Sequence, residues 1–191
     1  MKPVARSAVF LDRDGTIIED THYPRDPSLV SLITNAAQGL RLIHEKGYLI
    51  FVVSNQSGVG RGIIRDCEFK AVHEKVCELL KAEKIEVAEF AYCFHHPNDD
   101  CACRKPRTGL IPTQFQGEPI AFSQSYVVGD KPCDLQLGDN LGGKSCLVLS
   151  GKGKATLAEL SASHAALSYS TYQDLLQLAI SLPELPLATA V

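Results

Sequence analysis

Two carboxylates two residues apart follow the first apolar run of the chain. Asp12 and Asp14 stand directly after Ala8-Val9-Phe10-Leu11, and Gly15 and Thr16 follow them. A carboxylate can attack phosphorus or bind a hard cation, and a second carboxylate beside it can donate and accept a proton. Gly15 permits a sharp turn at the end of a strand. The motif alone is also compatible with a surface turn, because Asp and Gly are common turn residues.

Apolar runs alternate with amphipathic segments along the chain. Continuous apolar runs are typical of strands buried on both faces of a parallel sheet, and they occur at Ala8–Asp12, Tyr48–Ser54, Glu89–Cys93, Tyr126–Asp130 and Ser145–Ser150, with a short one around Ala166–Ser168. Helical spacing predicts helices at Asn35–Lys46, Asp66–Ala82 (with Asp66 as the N-terminal cap), Asp134–Leu141, Ala155–Leu160 and Thr171–Ile180, and a shorter one after Thr108. The alternation predicts an α/β fold, a doubly wound parallel sheet, in one domain of residues 1–182, followed by a mobile tail at 183–191.

Polar residues suited to phosphoryl chemistry follow three of the predicted strands. The first strand ends at the aspartate pair. The second ends at Ser54-Asn55-Gln56-Ser57-Gly58, where a hydroxyl, an amide and a flexible backbone can hold phosphate oxygens. The fourth ends at Gly129-Asp130-Lys131, and Asp134 follows one helical turn later. Because the carboxyl ends of parallel strands share one edge of a sheet, we expect these residues to converge. Lys105 supplies a cation for the phosphoryl charge.

The order of these motifs resembles that of haloacid dehalogenase-type phosphatases. The resemblance covers about residues 8–150 and rests on Asp12-x-Asp14-Gly15-Thr16, Ser54-Asn55, Lys105 and Gly129-Asp130-x-x-x-Asp134. Two finer segments, Ser54–Gly62 and Cys93-x-His95 … Cys101-x-Cys103-Arg104-Lys105-Pro106, are similar to the heptose-1,7-bisphosphate 7-phosphatase branch, with histidinol-phosphate phosphatases as near relatives. Residues 110–119, which contain two prolines and a glycine, depart from the regular helix usual in the family.

The resemblance implies a role for each motif residue. Asp12 would attack phosphorus and become an aspartyl phosphate, and Asp14 would protonate the leaving alcohol and then activate water. Mg²⁺ would be held by the side chains of Asp12 and Asp130 and by the backbone carbonyl of Asp14. Ser54 and Lys105 would stabilise the equatorial phosphoryl oxygens.

A cluster of cysteine and histidine residues lies just before Lys105. We expect no secretion signal, and in a chain of that kind such a cluster is more typical of metal binding than of disulfides. Cys93, His95, Cys101 and Cys103 offer the three thiolates and one imidazole of a tetrahedral structural zinc site. His96 competes with His95, and a chance cluster of reduced thiols is the alternative to a zinc site. Zinc would here position the phosphate-binding cation rather than take part in the reaction.

The interval between the first two motifs leaves no room for a separate cap domain, because it holds only about forty residues. Substrate selection then depends on short loops, and the predicted substrate-binding residues are Asp20, His22, Tyr23, Asn55, Gln56, Ser57, Arg61, Arg104 and Lys131. Arg104 suits bidentate contact with a second phosphate, whereas Asp20, His22 and Tyr23 are equally compatible with a solvated loop. Asp134 either orients Lys131 or a metal-bound water, or is an ordinary carboxylate on a helix surface.

Composition excludes some classes of function. No apolar stretch is long enough to span a bilayer, which argues against a membrane partner. The net charge of -3 and the lack of a basic, aromatic groove argue against a nucleic-acid partner. We expect a cytoplasmic monomer that acts on a small phosphorylated sugar.

The leading hypothesis is a Mg²⁺-dependent phosphatase with a structural Zn²⁺, which removes the C7 phosphate of a heptose 1,7-bisphosphate in nucleotide-activated heptose biosynthesis, as for the lipopolysaccharide core. Histidinol-phosphate phosphatase is the nearest alternative, and a nucleic-acid 3′-phosphatase is less favoured. A non-catalytic phosphosugar-binding module is the alternative from a different class of function.

Overall fold

A parallel sheet of six strands carries the fold. The computed structural model describes residues 5–163 and 167–185. Its strands are β1 (Ala8–Leu11), β2 (Leu49–Asn55), β3 (Glu89–Cys93), the two-residue strands β4 (Gln114–Phe115) and β5 (Glu118–Pro119), β6 (Tyr126–Gly129), β7 (Lys144–Val148) and β8 (Tyr169–Tyr172). The main sheet has the order β3-β2-β1-β6-β7-β8, and every neighbouring pair is parallel. β1 therefore lies inside the sheet, between β2 and β6.

Helices cover both faces of this sheet. They are α1 (Ala36–Glu45), α2 (Ser57–Gly60), α3 (Asp66–Ala82), α4 (Pro132–Leu141), α5 (Gly153–Ser163) and α6 (Leu175–Ser181). Successive strand residues point to opposite faces, so Val9 and Val52 pack with α1, α3 and α6, while Phe10 and Phe51 pack with Leu137 of α4 on the other side. The arrangement confirms the doubly wound α/β fold that the alternating sequence pattern predicts.

The helix predicted after Thr108 is wrong. The hairpin β4–β5 stands there instead, and its two turn residues, Gln116 and Gly117, have φ values of 51° and 81°. Two consecutive residues in the left-handed region are typical of a two-residue hairpin turn. Pro112 also lacks the N–H that a helix interior requires. The hairpin brings the Phe115 ring edge-on to Phe51, with ring centroids 5.6 Å apart, and so shields this part of the sheet.

The start of α3 also differs from the prediction. Arg65 rather than Asp66 is the N-terminal cap, and Asp66 is the first helical residue. The Glu68 carboxylate accepts a hydrogen bond from the Arg65 N–H at 2.8 Å, which satisfies a backbone donor that the helix cannot reach.

The last predicted strand and the tail lie close to the undescribed segments. The strand expected around Ala166–Ser168 is found at Tyr169–Tyr172, and Ala166 lies outside the described residues. At the start of the predicted tail, the Leu185 N–H donates to the Lys46 carbonyl at 3.0 Å. Residues 186–191 lie outside the described part of the chain.

The carboxyl ends of β1, β2 and β6 meet at one edge of the sheet. Between β1 and β2 the chain forms a 3₁₀ turn at Pro27–Leu29 and α1, so this interval holds no separate cap domain. Loops, the short helix α2 and the start of α4 line this edge. Among the helices at 5–163 and 167–185, none combines the length and apolar character needed to cross a membrane.

Candidate active site

The carboxylate of Asp12 is the centre of a buried cluster at this edge. Asp12 follows the last residue of β1, and its side chain is 4% exposed. Its Oδ1 accepts a hydrogen bond from the Ser54 hydroxyl at 2.7 Å and lies 3.0 Å from the Lys105 ammonium. Its Oδ2 lies 2.9 Å from the Lys131 ammonium. Residues far apart in the sequence therefore converge on one carboxylate, as expected at the carboxyl edge of a parallel sheet.

Two ammonium groups keep Asp12 ionised. Burial alone would raise the pKa of this carboxyl group, but the charges of Lys105 and Lys131 outweigh burial and hold the pKa of Asp12 well below its usual range. The same ion pairs overcome the opposite effect of burial on the lysines and raise both of their pKa values. At neutral pH the site therefore presents a carboxylate anion flanked by two cations.

Asp14 lies beside Asp12 but contacts different groups. Its two carboxylate oxygens accept hydrogen bonds from the Arg13 guanidinium at 3.0–3.1 Å. Its Oδ2 also accepts one from the Gln56 amide at 2.7 Å, and the same amide nitrogen donates to the Ser54 hydroxyl at 3.0 Å. The two aspartates therefore have separate partners, which suits them to separate tasks.

Three oxygen atoms surround the ammonium group of Lys131. Its Nζ lies 2.9 Å from Asp12 Oδ2, 3.0 Å from the Asp14 carbonyl oxygen and 3.0 Å from Asp130 Oδ1. These are the three ligands that the resemblance implies for Mg²⁺, and they converge on one point that favours positive charge. Two carboxylates and a carbonyl form the all-oxygen donor set that Mg²⁺ prefers, so the residues fit this ion.

Hydrogen bonds to its side chain and to its backbone hold Asp130 in place. Its Oδ2 accepts a hydrogen bond from the Lys152 N–H at 2.8 Å, and its carbonyl accepts one from the Thr156 hydroxyl at 2.7 Å. Gly15, with a φ of 88°, lies against this carboxylate, because a Cβ at Gly15 would stand 2.2 Å from Asp130 Oδ2. Burial raises the pKa of Asp130, so the charged form depends on a neighbouring cation.

Asp134 is buried rather than on a helix surface. Its side chain is 1% exposed, its Oδ1 lies 2.7 Å from the Lys105 ammonium, and its Oδ2 accepts a hydrogen bond from the Lys131 N–H at 3.1 Å. Burial raises its pKa to about 6. The surface interpretation of Asp134 is therefore wrong. This carboxylate orients the Lys105 side chain and the Lys131 backbone.

Asn55 holds the backbone of Lys105. Its amide oxygen accepts a hydrogen bond from the Lys105 N–H at 3.0 Å, and its amide nitrogen donates to the Lys105 carbonyl at 3.2 Å. The Lys105 ammonium also donates to the Val53 carbonyl at 2.6 Å. The sequence predicts that Asn55 contacts substrate, but both ends of its side chain are already bonded to the Lys105 backbone.

A pocket of about 250 Å³ opens over Asp12. Eight of the nine predicted substrate-binding residues line it, namely Asp20, His22, Tyr23, Asn55, Gln56, Ser57, Arg104 and Lys131. Arg61 does not, and its guanidinium instead donates to the Tyr23 hydroxyl at 2.7 Å. Arg61 therefore positions Tyr23, and a direct contact between Arg61 and substrate is not supported.

Two lining residues hold backbone conformations that L-amino acids rarely adopt. His22 and Tyr23 have φ values of 57° and 64°. Strain of this kind concentrates at ligand-binding loops, where the surrounding structure enforces it. The Asp20 carboxylate accepts a hydrogen bond from the His22 N–H at 3.0 Å and helps to enforce the turn.

The predicted zinc ligands lie together. The four ligand atoms of Cys93, His95, Cys101 and Cys103 all fall within 4.8 Å of one another, and the contacts among them measure 3.1–3.8 Å. Tetrahedral zinc, with bonds of about 2.0–2.3 Å, would separate such atoms by roughly 3.5–3.8 Å. The set therefore fits zinc. His96 is turned away, because its Nδ1 accepts a hydrogen bond from the Asn98 N–H at 3.1 Å.

The loop that carries these ligands, Cys93–Cys103, contacts the short helix α2. A Cβ at Gly60 would stand 2.1 Å from the Phe94 carbonyl oxygen, so the two backbones approach as closely as glycine allows. The loop thus abuts the turn after β2 and leads directly into Arg104 and Lys105.

The sequence prediction missed Arg13 and Lys152. Arg13 occupies the variable position between two aspartates of the motif, yet its side chain is 1% exposed and bonds to Asp14. Lys152 lines the pocket and stands between Gly151 and Gly153 just after β7. The lysine between two glycines at a strand end was a usable signal, whereas nothing in the pattern shows which way Arg13 points.

The chain is similar to known proteins in sequence and in fold. The family model for polynucleotide kinase 3 phosphatase matches residues 7–145. The chain belongs to the haloacid dehalogenase-type phosphatases. This phosphatase is 34% identical over 156 residues to the D-glycero-beta-D-manno-heptose-1,7-bisphosphate 7-phosphatase of Neisseria meningitidis serogroup A, a match that covers 79% of this chain and 81% of the relative.

The chain is also similar to a histidine biosynthesis protein and to a heptose bisphosphate phosphatase of known structure. The bifunctional histidine biosynthesis protein HisB of Legionella pneumophila is 33% identical over 139 residues, which are 72% of this chain but only 40% of HisB. The crystal structure of D,D-heptose 1,7-bisphosphate phosphatase from B. bronchiseptica, in complex with magnesium and phosphate, superposes with a TM-score of 0.79 at 26% identity, over 92% of this chain and 97% of that one. The family predicted from the order of the motifs is confirmed, and the chain is a phosphoric monoester hydrolase.

Proposed function

We propose that this phosphatase removes the C7 phosphate of D-glycero-D-manno-heptose 1,7-bisphosphate through an aspartyl-phosphate intermediate. The observation that carries the proposal is Asp12 at the base of the pocket, ionised between Lys105 and Lys131, with Asp14 next to it. Relatives named as heptose bisphosphate phosphatases support the choice of sugar. We place the reaction in heptose activation for glycan synthesis.

Asp12 acts as the nucleophile. Its carboxylate attacks phosphorus in line with the departing C7 oxygen, so that an acyl-phosphate bond forms as the ester P–O bond breaks. Ser54 and Lys105 already contact Asp12 and can reach the equatorial oxygens without large movement. Such preorganised donors are usually the largest single contribution to this kind of catalysis.

Asp14 transfers the protons. In its protonated form it gives a proton to the leaving C7 oxygen, and as a carboxylate it then accepts one from the water that hydrolyses the aspartyl phosphate. Asp12 cannot perform this task, because its two lysine partners keep it ionised and it is itself phosphorylated during the reaction.

Mg²⁺ would be held by the carboxylates of Asp12 and Asp130 and by the Asp14 carbonyl. When bound, it supplies positive charge that offsets repulsion between the nucleophile and the phosphate dianion. The presence of magnesium and phosphate in the structure of the relative supports Mg²⁺ as the ion.

Arg104 is proposed to bind the distal C1 phosphate. It lines the pocket, and its Nη1 is buried without a hydrogen-bond partner among the described residues. A buried guanidinium N–H without a partner is costly and favours an anionic ligand. A substrate with a second phosphate would satisfy it.

The decisive test is phosphate release from four substrates: heptose 1,7-bisphosphate, heptose 7-phosphate, histidinol phosphate and a 3′-phosphorylated oligonucleotide. The bisphosphate should show the highest kcat/KM, and Asp12→Asn should abolish turnover. Arg104→Met should raise KM for the bisphosphate about tenfold while leaving that for heptose 7-phosphate unchanged. Arg41→Met is the matched control, because Arg41 pairs with Glu83 outside the pocket. Higher activity on either of the last two substrates would refute the heptose assignment.

Histidinol-phosphate phosphatase is the second candidate, because the phosphatase matches part of HisB. Histidinol phosphate carries one phosphate and an imidazole, so it would leave the buried Arg104 N–H without a partner. That difference is the physical reason for preferring the bisphosphate.

We also propose that the loop Cys93–Cys103 binds a structural zinc through the four residues found together there. Metal analysis of protein purified without chelators should give one zinc per chain, and Cys101→Ser should lower both zinc content and thermal stability. A clearly substoichiometric zinc content in the wild-type protein would refute the site. Cys67→Ser is the control, since that cysteine is exposed on α3 and does not belong to the ligand cluster.

A further inference from the structure

Arg13 is a fully buried cation between the two aspartates. Its residue exposure is 0%, yet its one ion pair in the described chain is with Asp14. A charge without solvent is costly unless it is paired and hydrogen-bonded. Arg13 therefore has one charged partner among the described residues, and its effect on the site acts through Asp14.

The contact between the two side chains is a bidentate grip. Arg13 Nε and Nη2 donate to Asp14 Oδ1 at 3.1 and 3.0 Å, and Nη2 also donates to Oδ2 at 3.0 Å. Gln56 closes the arrangement, because its Oε1 accepts from Arg13 Nη2 at 3.1 Å and its Nε2 donates to Asp14 Oδ2 at 2.7 Å. A planar guanidinium fixes both the position and the plane of a carboxylate, which a lysine cannot do.

The guanidinium itself is held by aromatic rings. Its central carbon lies 5.8 Å from the ring centroids of both Phe69 and Tyr92. These two rings pack edge to face at 4.9 Å, and the Tyr92 hydroxyl is hydrogen-bonded to His73 at 3.0 Å. Contacts between a guanidinium and aromatic faces are stronger away from water. Arg13 thus sits on a rigid base formed by α3 and β3.

We infer that Arg13 is a positioning residue for proton transfer: its guanidinium, packed against Phe69 and Tyr92, fixes the direction of the Asp14 side chain in the pocket, and the bidentate grip is the one that the carboxylate form makes. The inference rests on the proposed function, in which Asp14 protonates the leaving group. Asp12 is held by a different set, namely Ser54, Lys105 and Lys131. Loss of the grip should therefore impair proton donation and spare nucleophilic attack.

Leaving-group dependence separates these two effects. The test compares two kinds of phosphate monoester. The leaving group of 2,4-dinitrophenyl phosphate departs without a proton, whereas the alkoxide that leaves the sugar phosphate needs one. The quantity is kcat/KM, which covers the steps up to phosphoryl transfer to Asp12. Arg13→Met should lower kcat/KM for the sugar phosphate roughly 10- to 100-fold more than for the dinitrophenyl ester. Because each ratio is taken within one preparation, a smaller folded fraction cancels.

Three further variants complete the test. Asp14→Asn is the reference for complete loss of proton donation. Phe69→Leu removes one of the two rings that support Arg13, and it should give a smaller selective loss of kcat/KM for the sugar phosphate. Arg41→Met is the control, because Arg41 pairs with Glu83 outside the pocket. Arg41→Met should leave the ratio unchanged.

Each result has one meaning. A selective loss in Asp14→Asn, Arg13→Met and Phe69→Leu supports the inference. A selective loss in Asp14→Asn with an equal loss on all esters in the other two overturns it and leaves the proposed function standing. If Asp14→Asn itself shows no selectivity, the proposed role of Asp14 fails. If Arg13→Met does not fold, Phe69→Leu decides.

Discussion

Replacement of Asn55 by alanine tests how Lys105 is positioned. The substitution removes the two hydrogen bonds, at 3.0 and 3.2 Å, that fix the Lys105 backbone. At about 1 kcal/mol each, their loss should lower the free energy of unfolding by about 2 kcal/mol. For a chain of this size, that corresponds to a fall in Tm of roughly 4–8 °C. Because the Lys105 ammonium must stay near Asp12, a shift of about 1 Å should reduce kcat roughly 100-fold.

Asn140→Ala is the matched control for this prediction. Asn140 is exposed and donates one hydrogen bond, at 2.9 Å, to the carbonyl of Pro106, the residue next to Lys105. Its loss should change stability by less than about 0.5 kcal/mol and leave kcat within a factor of two. Thermal unfolding and steady-state phosphate release measure the two effects. If Asn55→Ala loses stability but keeps wild-type kcat, then Lys105 does not depend on Asn55 for its position, and the reasoning fails.

Three other substitutions or treatments test separate parts of the site. Ser54→Ala should lower kcat about 100-fold, because it removes a donor next to the nucleophile, and Ser54→Thr should restore most of it; equal rates for wild type and Ser54→Ala would exclude the hydroxyl from the reaction. Gly15→Ala should lower the free energy of unfolding by more than about 2 kcal/mol in a thermal melt, because the new Cβ would stand 2.2 Å from the Asp130 carboxylate. Gly62→Ala is the control: Gly62 also has a positive φ but no atom within 4 Å of the new Cβ, so the loss should be about 1 kcal/mol. Burial and a neighbouring carboxylate raise the pKa of Cys133 to about 12, so its thiol should stay unmodified by iodoacetamide at pH 8 in the native protein, as mass spectrometry would show; rapid alkylation would contradict that pKa.

The elements that bury continuous apolar surface were predictable from the sequence. The limits of β3 and the C-terminal end of α3 agree with the predictions, and only the N-terminal cap of α3 differs. In both segments the spacing of apolar residues is compatible with a single type of secondary structure. The segment at Gln114–Pro119 was not predictable in the same way. Its apolar residues are few, so the turn geometry of Gln116 and Gly117, rather than periodicity, decides its structure.

The site was predictable where it follows from strand ends. Ser54 and Asp130 end predicted strands, and the structure brings both next to Asp12 or its cation-binding oxygens. Side-chain direction was not predictable: Arg13 points into the aromatic base behind Asp14, and Asp134 turns inward to Lys105. Both orientations depend on tertiary packing, which sequence spacing does not encode.

Because β1 lies between β2 and β6, phosphatase activity can also serve as a measure of folding. Asp12 lies 42 residues from Ser54 and 119 residues from Lys131, so its surroundings form only after two long chain segments close and β2 and β6 dock beside β1. Closing such long segments costs chain entropy before any contact offsets it. A partly folded chain can therefore contain most of its helices and still have no working nucleophile. During refolding, phosphatase activity should recover later than the circular dichroism signal of the helices. The recovery of activity would then report when β2 and β6 have both paired with β1.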